Sequence, residues 1–249
     1  MRFRKIALAL FACLALGAFA ANAAQAAQWT VGTTENQTTA GTTVTKEGVN
    51  CSRHGTTELI LHSTVTGIPI TLKATQIDCV EFFIETGAGD SGAFSSGKLR
   101  FTGVTVEPST CSVPGGTLTS NALKGHIDMD TKVKESTAVI GTLFPASGTV
   151  IVEVPLEGAS CPFAGITAPV KGTVCGETVH TNAGGSAFEG ERTGTLTKVH
   201  TMLFGSAQQT TGECALTLGT APAVFTGAVD SVLNGAVSVG NKEKPYGED

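Results

Sequence analysis

Serine, histidine and carboxylates are the groups from which a hydrolytic site is built, and the chain offers several arrangements of them. Gly89-Asp90-Ser91-Gly92 sets a serine between glycines beside an aspartate. A serine so placed becomes a nucleophile when a histidine polarises it and a buried carboxylate orients that histidine. The upstream histidines, His54 and His62, precede Ser91 by only roughly 30 to 37 residues, too little chain to build a scaffold between them. Ala93 also stands where a further glycine belongs. Residues 87–97 therefore read as a flexible Gly/Ser loop. Gly92 to Lys98 has the glycine and lysine spacing of a phosphate-binding loop, but Leu99 follows where a Ser or Thr hydroxyl must hold magnesium. Asp128-x-Asp130 looks like the opening of a calcium loop. There Lys132, Val133 and Val139 occupy the places of an oxygen ligand, the turn glycine and the bidentate glutamate, which excludes a hand-type site.

The five histidines, His54, His62, His126, His180 and His200, fall singly along the chain. The sequence-local acid–base pair is His126 with Asp128, two apart on one strand face. Neither Gly-x-Ser-x-Gly nor His-Glu-x-x-His occurs. Paired carboxylates for glycoside hydrolysis need meet only in space, so the sequence leaves them open. Flat aromatic platforms for sugars are scarce, with Trp29 and Tyr246 the single residues of their types. No catalytic, cofactor-binding or metal-binding residue is assigned, and no cofactor is expected.

Cysteine spacing carries a clearer message. Arg2, Arg4 and Lys5, the apolar run from Ile6 to about Ala20 and the small-x-small triplet Ala24-Gln25-Ala26 together read as a secretory signal over residues 1–26. Cleavage is expected after Ala26, with Ala21-Asn22-Ala23 as a competing site. The cut removes Cys13 and leaves Cys51, Cys79, Cys111, Cys161, Cys175 and Cys214. An even number in an exported chain reads as disulfides, whose pairing the sequence leaves open. Metal binding is the competing reading, but no Cys-x-x-Cys pair exists. The same cut takes three of 16 basic residues and no acidic ones, so 13 against 21 gives a balance of −8 in place of −5. An acidic chain without basic clusters argues against nucleic acid. No later segment approaches the roughly 20 apolar residues of a membrane helix, and with so few Trp and Tyr the aromatic girdles of an outer-membrane barrel are missing.

The elements that must position these residues are strands. Thr, Val, Ile and Phe favour pleated surfaces, and 31 Gly punctuate short segments. Residues 27–47 read as a Thr-rich leader or linker able to pair as one edge strand. From Glu58 to Val65, Leu59, Leu61 and Val65 share one face, opposite Glu58, His62 and Thr64. Strands are expected at Ile68 to Ile77, Val80 to Thr86, Lys98 to Glu107 with a bulge at Gly103, and Leu123 to Asp130. Ala138 to Phe144 and Thr149 to Val154 read as the clearest hairpin, joined by Pro145-Ala146-Ser147-Gly148. Further strands are expected near 166–175, 193–204, 213–218, 222–229 and 232–239, and a frayed tail at 241–249. The spacing predicts an all-β domain over residues 48–240, a β-sandwich or closed barrel of about a dozen short antiparallel strands, with a division into two packed subdomains near 145–148 as one arrangement.

Leu99-Arg-Phe-Thr-Gly-Val-Thr-Val106, Cys111-Ser-Val-Pro-Gly-Gly-Thr-Leu-Thr, Ala122-Leu-Lys-Gly and the stretch from Cys214 to Gly227 resemble secreted, β-rich, cysteine-containing proteins of actinobacteria. The likeness covers most of Cys51 to Gly240. It implies a bacterial, exported β-domain and brings no activity or catalytic residue with it. Three functions are expected on this footing. The first is a noncatalytic protein of the cell envelope or medium acting by surface binding, assembly or self-association. The second is a secreted hydrolase of glycans or esters with a site assembled from distant residues. The third is a small-ligand carrier, which requires a closed barrel around an apolar cavity.

Overall fold

The computed structural model describes residues 29–31, 42–43, 46–87, 90–128, 139–181, 188–190, 199–205, 214–233 and 246–248; the expected signal lies outside them. Among these residues the structure is all-β, with one 3-10 turn at Pro114–Gly116. The first strands are β1 (Trp29–Val31), β2 (Thr42–Thr43), β3 (Lys46–Arg53), β4 (Leu59–Val65), β5 (Ile68–Ala74), β6 (Gln76–Val80), β7 (Phe83–Gly87), β8 (Asp90–Thr102), β9 (Thr105–Glu107) and β10 (Thr117–Thr119). They are followed by β11 (Leu123–Asp128), β12 (Val139–Pro145), β13 (Val150–Leu156), β14 (Ile166–Gly172), β15 (Val174–Thr181), β16 (Phe188–Gly190), β17 (His200–Phe204), β18 (Leu216–Leu218), β19 (Ala221–Leu233) and β20 (Tyr246–Glu248). Every pairing is antiparallel.

Strand alternation sets the inner face. On β4, Leu59 and Ser63 are buried while His62 and Thr64 are exposed, as the alternation of Glu58 to Val65 requires. A two-residue turn, Thr66-Gly67, with φ of 49° and 82°, returns the chain to β5. Positive φ at both turn residues matches the twist of a tight hairpin. Ile70, Leu72 and Ala74 of β5 then face the same interior.

Two strands of 13 residues, β8 and β19, each serve two layers. The first half of β19 pairs with β18 and β4, and its second half with β17 and β3. The change of partners falls at Gly227, whose φ is 141°. A Cβ there would meet Leu59 Cδ2 at 2.7 Å and the Glu58 carbonyl at 2.9 Å, so the bend needs glycine for both conformation and space. β8 changes from β7 and β11 to β6 and β10 beyond Gly97. A Cβ on Gly97 would lie 2.7 Å from Phe82 Cα.

The first layer follows the order β7-β3-β19-β17-β15-β12-β11, and both β7 and β11 also pair with β8, so the antiparallel sheet curls round. The second runs β13-β14-β18-β19-β4-β5-β9. One buried cluster spans both, with Leu123 and Leu143 from the first layer and Leu59, Val154 and Leu218 from the second.

Several expectations change. Residues 90–97, expected as a flexible loop, are the first half of β8. Gly and Ser supply little strand preference, but β7 and β11 take the edges of this segment and hold it extended. The turn before Thr149 forms, with Gly148 at φ 70°, but the strands it joins are not a hairpin. β12 gives its two edges to β11 and β15, while Asn121 N–H donates to the Ile151 carbonyl and draws the chain into the other layer. The stretches near 222–229 and 232–239 share one strand, β19, as far as Leu233. In the tail expected to fray, Tyr246–Glu248 pairs with β1, which also pairs with β2 from the leader.

Three disulfides cross-link the fold, at Cys51–Cys79, Cys111–Cys161 and Cys175–Cys214, with Cα separations of 4.9, 4.6 and 5.5 Å. Cys51–Cys79 joins β3 to β6. Cys111–Cys161 pins the turn after β9 to the loop after β13, beside the reciprocal backbone bonds of Ser112 and Glu157. Cys175–Cys214 fixes β15 to the start of the β18 segment. Each such link stabilises the fold by about 2–4 kcal/mol by restricting the unfolded chain.

Candidate functional site

Between the layers lies a cavity of about 130 Å³. Its walls come from the inward positions of strands already described. Leu59 and Leu61 on β4, Leu72 on β5 and Val154 on β13 form part of the aliphatic side. Phe101, Phe204 and Phe225 form an aromatic side. Phe225 stands between the other two, 6.3 Å from Phe101 and 5.0 Å from Phe204 by ring centroid, at interplanar angles of 76° and 62°. Such edge-on contacts are favourable because a ring edge is positive and a ring face negative.

Two glycines make room for Phe204 and Met202 against the sheet. Gly141 of β12 and Gly176 of β15 are cross-strand partners, so the inner face carries no side chain there. Met202 occupies the gap: a Cβ on Gly176 would stand 2.5 Å from Met202 Cγ and 2.9 Å from Phe204 Cε1, and one on Gly141 would run into Met202 Cε. Both side chains therefore lie against the sheet instead of filling the centre. An apolar void of about 150 Å³ stays dry and accepts a benzene-sized guest, and 130 Å³ is on that scale.

Lys73 and Ser231 are the polar residues of the lining. The Lys73 ammonium pairs with Glu107 Oε1 at 2.8 Å, and that hydrogen bond, followed by the charges of Glu107 and Glu58, raises its pKa above the ordinary lysine value. Ser231 donates from Oγ to the His200 carbonyl at 3.3 Å. It faces inward on β19, cross-strand from His200 on one side and Cys51 on the other.

A second polar group lies on the opposite face of β19. His54 Nδ1 is 2.8 Å from Asp230 Oδ1 and 3.0 Å from Oδ2, and Thr201 Oγ1 donates to Asp230 Oδ1 at 2.6 Å. A carboxylate only accepts, so Nδ1 carries the proton of its bond. The order is hydroxyl, carboxylate, imidazole. In a nucleophile relay the hydroxyl must instead donate to the imidazole. His54 and Asp230 are 176 residues apart, which is why neither spacing nor local pattern pointed to them. The β3–β19 register, with Asp230 opposite Ser52, creates the pair.

The other candidates are dispersed. Ser91 and the run from Gly92 to Lys98 lie along β8, extended and paired, which is not the curved backbone that cradles a phosphate. Gly89 and Asp130 lie outside the described residues. His126 and Asp128 lie on β11, and His62 Nδ1 meets Thr71 Oγ1 at 2.9 Å on the exposed side of the β4–β5 pair. Among the described residues, no three or more His, Cys, Asp or Glu side chains are grouped to hold a metal ion. No helix there is long and apolar enough to cross a membrane. Compared with protein-family models, curated proteins and solved structures, the chain matches none.

Proposed function

We propose that the chain is an exported, noncatalytic binding protein of the cell envelope or medium that holds one small apolar molecule in its interior. The cavity carries this reading. Leaving about 130 Å³ unfilled forfeits about 3 kcal/mol at roughly 24 cal/mol per Å³, a large cost against the usual net stability of about 5–15 kcal/mol. A guest recovers part of it. The curl of the first layer, in which both β7 and β11 pair with β8, supports an interior that can enclose a guest against the second layer. Three disulfides support an oxidising, extracytoplasmic setting, with the signal cut after Ala26.

Surface assembly has weaker support, because the exposed large apolar residues among those described are Ile166 and Val199, isolated in sequence and in different segments. Hydrolysis has weaker support because Thr201 donates to Asp230 and not to His54.

The test is thermal unfolding of the oxidised protein with benzene, and xenon as a second probe. A guest present at 100 times its Kd stabilises by about 2.7 kcal/mol, so the transition should rise with ligand concentration. An unchanged transition with both probes, and unperturbed NMR signals from the Phe225 ring and Met202 methyl, would remove the proposal.

A further inference from the structure

The inner face holds a buried hydroxyl that the apolar cavity does not explain. Thr178 of β15 is 2% exposed, and its Oγ1 has no hydrogen-bond partner. An unsatisfied buried hydroxyl is costly, and native interiors seldom keep one without a role or an absent partner. Thr178 shares the inward face of β15 with Gly176 and is cross-strand from Met202, a wall of the cavity. Antiparallel pairing makes His200 its diagonal neighbour on β17, within reach of longer side chains. His200 is itself 6% exposed and is cross-strand from Ser231, which lines the cavity. Thr178, His200 and Ser231 thus form a polar strip across β15, β17 and β19 at the edge of an otherwise apolar space. Of the three, Ser231 lines the cavity, and so does Met202, the cross-strand partner of Thr178, whose unbranched side chain can change rotamer without a large cost.

We infer that the cavity's guest is not a pure hydrocarbon but a small apolar body with one hydrogen-bonding head, such as a phenol or a short alcohol, whose head lies against the Thr178–His200–Ser231 strip. This rests on the proposal that the cavity binds a guest at all. Thr178 Oγ1, which has no partner, can both donate and accept. The head therefore need only be a hydroxyl or an equivalent neutral donor–acceptor. An anionic head is disfavoured, since it would lose its hydration and the lysine of the lining, Lys73, is already paired with Glu107.

The sign of the preference makes the test sharp. In a dry cavity with no polar partner, phenol binds more weakly than benzene because its hydroxyl is stripped of water. With the strip as partner, phenol should bind more tightly by at least about fivefold, the equivalent of one net hydrogen bond. Isothermal titration of the oxidised protein with benzene and phenol measures the ratio. Thr178→Val, which keeps the side-chain shape, and Ser231→Ala should together bring phenol to no better than benzene while leaving benzene affinity within about twofold. Thr178→Val alone should raise the unfolding temperature of the free protein, since it removes an unsatisfied group. Benzene binding equal to or tighter than phenol in the wild type overturns the inference and leaves the carrier reading standing. So does a phenol preference that survives both substitutions, or a Thr178→Val protein that melts earlier. Failure of both probes to bind overturns the carrier reading as well.

Discussion

Filling the cavity from within should mimic a guest. Val170 on β14 is buried and lines the void, so Val170→Phe points a larger side chain into it without changing polarity. The substitution adds roughly 50 Å³, a little over a third of the space, and at roughly 24 cal/mol per Å³ that is worth about 1 kcal/mol before any strain. The opposite change, Phe225→Leu, breaks the ring contacts with Phe101 and Phe204 and enlarges the void, with an expected loss of about 2–3 kcal/mol. Urea unfolding with the disulfides intact reads both. The midpoint should rise for Val170→Phe and fall for Phe225→Leu with unchanged slope, because a changed slope reports an altered denatured or native state instead. Val170→Phe should also abolish benzene-dependent stabilisation. The reasoning fails if Val170→Phe destabilises by more than about 1 kcal/mol, the behaviour of a core already full, or if benzene still stabilises the filled protein.

Two further outcomes follow from the strand crossings and the polar group outside the cavity. Gly227→Ala should cost about 3 kcal/mol, because φ of 141° is strained for any side chain and its Cβ meets the Glu58 carbonyl and Leu59; a loss below about 1 kcal/mol in urea unfolding would mean that β19 does not turn there. Asp230→Ala should cost more than His54→Ala, since it leaves the Thr201 hydroxyl, 1% exposed, without its acceptor. The expected losses are about 1–3 kcal/mol against about 0.5–1 kcal/mol, and the reverse order would refute the assignment of Asp230 as the hub.

What the sequence disclosed depends on range. Alternation on β4 is a local property, and its phase holds: Leu59 is buried and Leu61 and Val65 half-buried, while Glu58, His62 and Thr64 are exposed. The turn at Pro145–Gly148 was equally legible, but its consequence was not: whether β13 pairs with β12 depends on β11 and β15, which already occupy the edges of β12. Residues 90–97 depart from the expected loop for a related reason, since neighbours on both sides hold their Gly and Ser extended. Six cysteines after the expected cut pointed to disulfides, while the partners became visible only when the layers were stacked. The His54–Asp230 contact and the cavity lay furthest from reach. One needs a register between β3 and β19, and the other is a space that no residue encodes by itself.

The sharing of β19 between layers also constrains the order in which the protein can be made. β3 and β4, near the start of the folded part, take partners from β19 near its end. As the chain emerges, these early strands must wait for residues 221–233 before their ladders are complete, and closure across so long a loop is slow. Folding therefore waits on synthesis. Until that last long strand arrives, β3 and β4 each keep an unpaired edge that another chain could take.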